Sequence, residues 1–321
     1  MDTIKTNWQT VAPIYQNYRC LLEDIDTPIF FSQNGNISLS MRELPQWVKQ
    51  QAEIDKNFLS CLSLSLRDHL KGAKYAFVVE YMADAMGAPD PDRKDPSPRT
   101  IQEAMIDKIQ DAQFVLWLAN PSVLNFFMIL HGHESSDGKW RWRGLGEWSA
   151  PWLLLPEHSR KLDEKDFEKA VSLYKHLESE DANWLRTAKR AVMKGLAERD
   201  WISRYLMLWL AVESLFGPEN PGETTFRLSQ RVALFLDGRS EEAKNLFKDI
   251  KTGYNWRSKI VHGLRLKKIK QEEAVKLISK LEDVIRRAFT KILSDVSLLN
   301  SFGGSSREKY LEELIFQTEE G

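Results

Sequence analysis

Asp200–Phe216 reads DWISRYLMLWLAVESLF. It is apolar almost all round, which suits a helix surrounded by others rather than one lying on a surface. The loop GPENPGETT, residues 217–225, breaks it at Gly217. Beyond the loop comes FRLSQRVALFLDG, residues 226–238, closed by Gly238 as a C-cap. Ser240 then caps EEAKNLFKDIKTGYNWRSKIVHG, residues 241–263, a helix predicted to end at Gly263. A long amphipathic helix is expected over about Gln271–Leu299, and a short charged one over Ser306–Glu320. On the other side, DEKDFEKAVSLYKHLES (163–179) and ANWLRTAKRAVMKGLAE (182–198) repeat the helical spacing. From about Leu162 onward the pattern is helical.

The preceding region reads differently. Four prolines between Pro89 and Pro98, in APDPDRKDPSPRT, mark an exposed loop. Thr100 and Glu103 form a capping box for the helix IQEAMIDKIQDAQFVLWLA, which stops before Asn120-Pro121. An extended piece is expected near Ile29–Ile37, just after Pro28. In HESSDGKWRWRGLGEWSAPWLLLPE (133–157) the alternation of Trp and Arg near Gly144 and Gly146 predicts short strands or a hairpin. The expected fold class is mainly α, with an irregular α+β region over residues 1–155 and a helical domain over 156–321.

Composition narrows the function classes. The 321 residues include 42% hydrophobic and 28% charged ones, a globular balance with ample material for a core. No run approaches the ~18–20 apolar residues of a membrane span, and the first residues lack the apolar core of a signal peptide. Cys20 and Cys61 alone cannot build a disulfide scaffold or a cysteine zinc cage. A soluble cytoplasmic protein is expected, with no membrane partner. Basic residues number 45 against 46 acidic ones, so nucleic-acid binding would need a local patch. No repeat of 20–50 residues is visible.

Such a patch lies at Tyr254–Gly263, YNWRSKIVHG. His262 directly precedes the glycine stop, where the negative end of a helix dipole draws positive charge. Arg257 offers a planar fork suited to phosphate oxygens. Residues 251–271 carry Lys251, Arg257, Lys259, Arg265, Lys267, Lys268 and Lys270 and no acid, either a phosphate footprint or a solvated turn. Five residues at ~100° each place Arg257 and His262 about 140° apart on the helix. Convergence on one phosphate would be easier across a symmetric dimer.

Leu208–Phe216 (LWLAVESLF), Arg231–Leu236 (RVALFL) and Tyr254 followed by Arg257–Gly263 (RSKIVHG), in this order, resemble the Apea-like branch of the HEPN superfamily. The resemblance spans about residues 182–298 and leaves the first 155 residues without a counterpart. It implies a HEPN-like helical bundle that dimerises, and a metal-independent endoribonuclease of an anti-phage, abortive-infection or toxin type. It implies no cofactor. Arg257 and His262 would be the catalytic pair. Glu213 matches the family's acidic residue, which orients the Arg or is a structural partner, with Tyr254, Ser258 and Lys259 in supporting places. Arg265, Lys267 and Lys268 would bind RNA. The residue after the Arg is often Asn, Asp or His in the family's nucleases; here it is Ser258. The RNA 2′-OH would attack its own phosphate, with His262 moving a proton and Arg257 stabilising the phosphorane. A trigger or neutralising protein is the further partner implied. Two rival readings remain. One is a non-catalytic HEPN module binding RNA, nucleotide or a partner protein. The other is an interaction protein in which Arg257 and His262 form a buried network around Glu213.

Two other constellations carry weaker chemistry. His131 and His133 have ligand spacing on a strand, with Glu134 and Asp137 nearby, yet no third ligand stands out and no metal is expected. Trp140-Arg-Trp-Arg143 with Trp148 and Trp152 would be either a base-stacking surface or, as preferred here, a hairpin whose Trp face packs while Arg141 and Arg143 face water. Gly144-x-Gly146 lacks the context of a dinucleotide fingerprint.

Overall fold

A computed structural model describes residues 5–15, 27–34, 37–84, 98–121, 124–147, 161–220, 222–263, 271–303 and 306–316. The proline-rich loop up to Ser97, Cys20, Trp148, Trp152 and the basic residues Arg265, Lys267, Lys268 and Lys270 lie outside the described residues. The protein is mainly helical, with an antiparallel sheet in its first part. It divides into two compact units, Met1–Lys175 and His176–Gly321. Among the described residues no helix is long and apolar enough to cross a membrane.

The first unit is built on β1 (Lys5–Tyr15), β2 (Ile29–Asn34), β3 (Ile37–Glu43), β4 (Tyr75–Asp84), β5 (Asn125–Phe126), β6 (Met128–Glu134) and β7 (Trp140–Glu147). The order is β2-β3-β4-β1-β6-β7, with β5 pairing the end of β1. Every pairing is antiparallel. In the centre Val11 stands opposite Val78 on one side and Leu130 on the other. Because side chains alternate along a strand, these three share one face. That face packs on α1 (Gln46–Ile54), α2 (Lys56–Ser60) and α3 (Leu64–Gly72) through Trp47, Val48, Phe58, Leu66 and Leu70. Gly132 makes room for Trp47, since a Cβ there would lie 2.7 Å from its ring.

The hairpin β6–β7 forms as expected from the Trp/Arg alternation, but it turns at Ser135–Lys139 rather than near Gly144. Trp140 stacks on Trp47 and Trp142 meets Phe58, while Arg141 and Arg143 are exposed. The extended piece near Ile29 is β2, continued by β3. On the opposite sheet face Phe77 meets Phe31 and Phe126. Helix α4 (Pro98–Ala119) starts two residues before the expected Thr100, because proline at the first helical position needs no N–H partner. Helix α5 (Glu164–Leu177) carries Asp166, which accepts from Asn120 at 2.7 Å, and Tyr174, whose ring meets Phe31.

The second unit follows a 3-10 turn at Glu180–Leu185 with α6 (Arg186–Ala197), α7 (Trp201–Phe216), α8 (Thr224–Asp237), α9 (Glu241–Val261), α10 (Gln271–Leu293), α11 (Val296–Ser301) and α12 (Ser306–Phe316). Helix α7 is central and packs against α6, α8, α9 and α10. Asp200 caps it by accepting from Ser203 N at 2.8 Å. It is not buried all round. Leu210 is 43% exposed, and Met207 and Glu213 are half-buried, so one strip of α7 reaches solvent. Arg204 of α7 forms a buried ion pair with Glu282 of α10. Gly238 ends α8 at φ 63°, and the Ser240 hydroxyl starts α9 by accepting from Ala243 N.

The long last helix expected over Gln271–Leu299 is instead two. Helix α10 stops at Leu293, and the Asp295 side chain caps α11 by accepting from Ser297 N at 2.8 Å and Leu298 N at 3.2 Å. The carboxylate competes with the helix backbone for those N–H groups, which is why Asp favours a helix start. Helix α12 is tied down by Arg227 and Arg231 on Glu308 and by Arg307 donating to Ser214 O at 2.6 Å.

Candidate functional site

The close approach of α7 and α9 starts at a glycine. A Cβ on Gly253 would stand 2.9 Å from Trp209 Cζ2 and 3.2 Å from the Tyr205 hydroxyl. With only hydrogen there, the Tyr205 hydroxyl donates to Gly253 O at 2.8 Å, and the Tyr205 ring meets Trp209 edge-on. Trp209 in turn meets the Tyr254 ring edge-on, with centroids 5.4 Å apart. The three aromatic rings fix where α9 places its next turn.

That turn carries the charged group. The Tyr254 hydroxyl donates to Glu213 Oε1 at 2.8 Å. Arg257 Nη2 donates to the other oxygen, Glu213 Oε2, at 2.9 Å. The Arg257 Cζ lies 5.5 Å from the centroid of the Tyr254 ring, within cation–π range. Arg257 is 27% and Glu213 20% exposed by side chain, so the pair is sheltered but reachable. Burial first, and then the hydrogen bond and charge of Glu213, push the Tyr254 hydroxyl up to about 12. Burial does the same for Tyr205, also to about 12. Both phenols therefore stay protonated donors at neutral pH.

His262 is the C-cap of α9 and is exposed. Its N–H returns to Ser258 O at 3.1 Å, and Gly263, at φ 63°, donates to Ile260 O at 3.1 Å. Among the described residues no hydrogen bond reaches its ring. Thus the structure gathers Glu213, Tyr254 and Arg257 into one cluster and leaves His262 outside it, in solvent. Of the buried network read around Glu213, the structure shows Arg257 on Glu213, half-buried, and His262 exposed. Ser258 is half-buried, and the Lys259 ammonium sits over the Trp256 ring, 5.5 Å from its centroid.

Sequence reasoning did not single out Tyr205, Trp209 or Gly253. A glycine inside a helical pattern was the available signal, because it is tolerated there chiefly for a packing or functional reason.

The His131/His133 pair has other employment. His131 is buried, its Nδ1 lies 2.9 Å from Thr10 Oγ1, and burial pulls the ring down to about 4. His133 stacks on Trp8, with centroids 5.1 Å apart, and Arg143 Nε donates to its Nδ1 at 3.3 Å. Trp142 Nε1 donates to Asp55 at 2.9 Å, so the two described hairpin tryptophans face helices rather than a free surface.

Compared with protein-family models, curated proteins and solved structures, the chain matches none.

Proposed function

We propose that the chain is a metal-independent endoribonuclease of the HEPN type, acting as a homodimer in an anti-phage, abortive-infection or toxin role. The observation that carries this reading is the state of Arg257. Glu213 and Tyr254 hold it, it is partly exposed, and His262 stands in solvent at the end of the same helix. The arrangement suits an RNA phosphate. The 2′-OH attacks the adjacent phosphorus, the 5′-oxygen leaves, and a 2′,3′-cyclic phosphate remains. His262 takes the 2′ proton or supplies one to the leaving oxygen, and the Arg257 fork neutralises charge growing on the equatorial oxygens. The nucleophile is internal to RNA, so the chemistry needs no metal-bound water. Five residues of ideal helix separate Arg257 and His262 by about 140°, which favours a site completed by the Arg257 and His262 of a second copy.

The test compares the wild type with Arg257→Ala and His262→Ala for growth arrest on expression and for cleavage of total RNA in EDTA. Cleavage that falls by ~10²-fold or more in both variants, with folding intact, supports the nuclease. RNA that is bound but left whole moves the assignment to a non-catalytic HEPN module, a reading favoured by Ser258 in place of Asn, Asp or His.

A further inference from the structure

We propose that Tyr254 is a positioning residue: by occupying one oxygen of Glu213 it restricts the Glu213–Arg257 pair to a single contact and keeps the rest of the Arg257 fork for a phosphate. The identity of that phosphate as RNA rests on the ribonuclease reading above; the restraint on Arg257 does not.

A carboxylate left to itself meets a guanidinium through two parallel hydrogen bonds, the strongest geometry the pair has. Such a bidentate pair would engage two N–H groups on one edge of Arg257 and draw the fork onto Glu213. Here only Nη2 reaches the carboxylate, at Oε2, while Oε1 accepts the Tyr254 hydroxyl at 2.8 Å. Among the described residues Nε and Nη1 make no hydrogen bond, so one edge of the fork, Nε or Nη1 together with the second hydrogen of Nη2, stays open to a phosphate.

The same tyrosine limits the fork from below. Its ring lies under the Arg257 guanidinium, 5.5 Å from Cζ, so rotation toward Glu213 is resisted by an aromatic face. Tyr254 is itself located by the edge of Trp209, which is 1% exposed, and by the α7–α9 approach at Gly253. One hydroxyl thus splits the function of Glu213. One oxygen orients Arg257 and the other is kept from trapping it. The high protonation range of the buried phenol keeps it a donor throughout the neutral range.

Tyr254→Phe removes the hydroxyl and keeps the ring, so it tests the restraint without emptying the packing. The first readout is the side-chain nitrogen spectrum of Arg257 in the full chain, titrated with inorganic phosphate. In Tyr254→Phe the guanidinium should become bidentate on Glu213, with slower rotation about Cζ–Nη and a phosphate response weakened roughly tenfold, as loss of a hydrogen bond to a charged group implies. Adding Glu213→Gln to Tyr254→Phe weakens the trap and should return most of the response. The second readout is RNA cleavage: kcat should fall in Tyr254→Phe with KM changed by less than about twofold, and the double variant should recover part of it.

Arg257 signals and phosphate response unchanged in Tyr254→Phe would overturn the proposal. So would a double variant whose loss is the sum of the two single losses. A wild type that cleaves no RNA would remove the ribonuclease reading, while the Arg257 spectra would still decide the restraint.

Discussion

Gly253→Ala should destabilise the helical unit, although alanine is the better helix former. The added Cβ would stand 2.9 Å from Trp209 Cζ2 and 3.2 Å from the Tyr205 hydroxyl. Carbon atoms rest at ~3.5–4.0 Å, so α9 must retreat from α7 by about 0.6–1 Å or Trp209 must turn. Trp209 is 1% exposed and has Tyr205 against one side and Tyr254 against another, which leaves it little room. Overpacking of this kind costs ~1–3 kcal/mol. Alanine returns about 1 kcal/mol of helix propensity. Stretching the Tyr205 bond to Gly253 O removes up to ~1 kcal/mol. The net expectation is a loss of about 1–2 kcal/mol. Urea denaturation followed by hydrogen exchange at the α7 and α9 amides measures it, because a whole-chain signal would mix the two units. The same retreat should lengthen the Glu213–Arg257 contact, so under the proposed ribonuclease function RNA cleavage should fall with stability. A variant more stable than wild type by about 1 kcal/mol would refute the reasoning, since it would mean that propensity alone governs this position.

Three further outcomes check other parts of the structure. His131 is held down to about 4, so the folded first unit binds fewer protons than its unfolded chain between about pH 6.5 and 4. Its stability is full above that window and should fall as pH drops through it, by up to roughly 3 kcal/mol. Urea midpoints at pH 7, 5.5 and 4 measure the slope, and an equal slope in His131→Gln would assign it to other groups. Breaking the buried Arg204–Glu282 pair with Glu282→Ala should cost ~3–5 kcal/mol, whereas the double change Arg204→Met with Glu282→Leu should cost much less. Thermal melts of the three chains decide this, and a double variant as unstable as the single would count against it. Trp142→Phe should lose ~1–2 kcal/mol with its hydrogen bond to Asp55, and exposed Arg141→Ala less than about 0.5 kcal/mol. Equal effects of the two in chemical denaturation would mean that the hairpin presents its other face to the helices.

The helical unit was legible because its signals are local. Apolar spacing, Ser240 as a cap and Gly238 as a stop each act within one turn, and each is found where the pattern put it. The α10–α11 break was missed for a matching reason. The apolar period continues past Leu293, and only the Asp295 side chain, competing for two N–H groups, ends the helix. Register in the sheet was not readable at all, since Val11 opposite Val78 and Leu130 joins segments with no local relation. Within the site, Glu213, Tyr254 and Arg257 were singled out from the sequence, and they form one cluster. Their brace was not, because Tyr205 and Trp209 look like ordinary core residues until the space at Gly253 is measured. Lys259, named in a supporting place, has its ammonium over the ring of Trp256, three residues earlier on the helix.

The place of β1 in the sheet has a consequence during synthesis. It is the first described strand in the chain, yet it lies in the middle, between β4 and β6. When Tyr15 has been made, neither neighbour exists, and the second arrives only with Met128. At ribosomal speeds of ~5–20 residues per second, β1 is left with one open side for on the order of ten seconds. During that time Val11, Ala12 and Ile14, all fully buried in the finished fold, belong to a nascent strand with an unpaired edge. Slower translation between β4 and β6, or capture by a holdase in that interval, should therefore change the yield of folded chain.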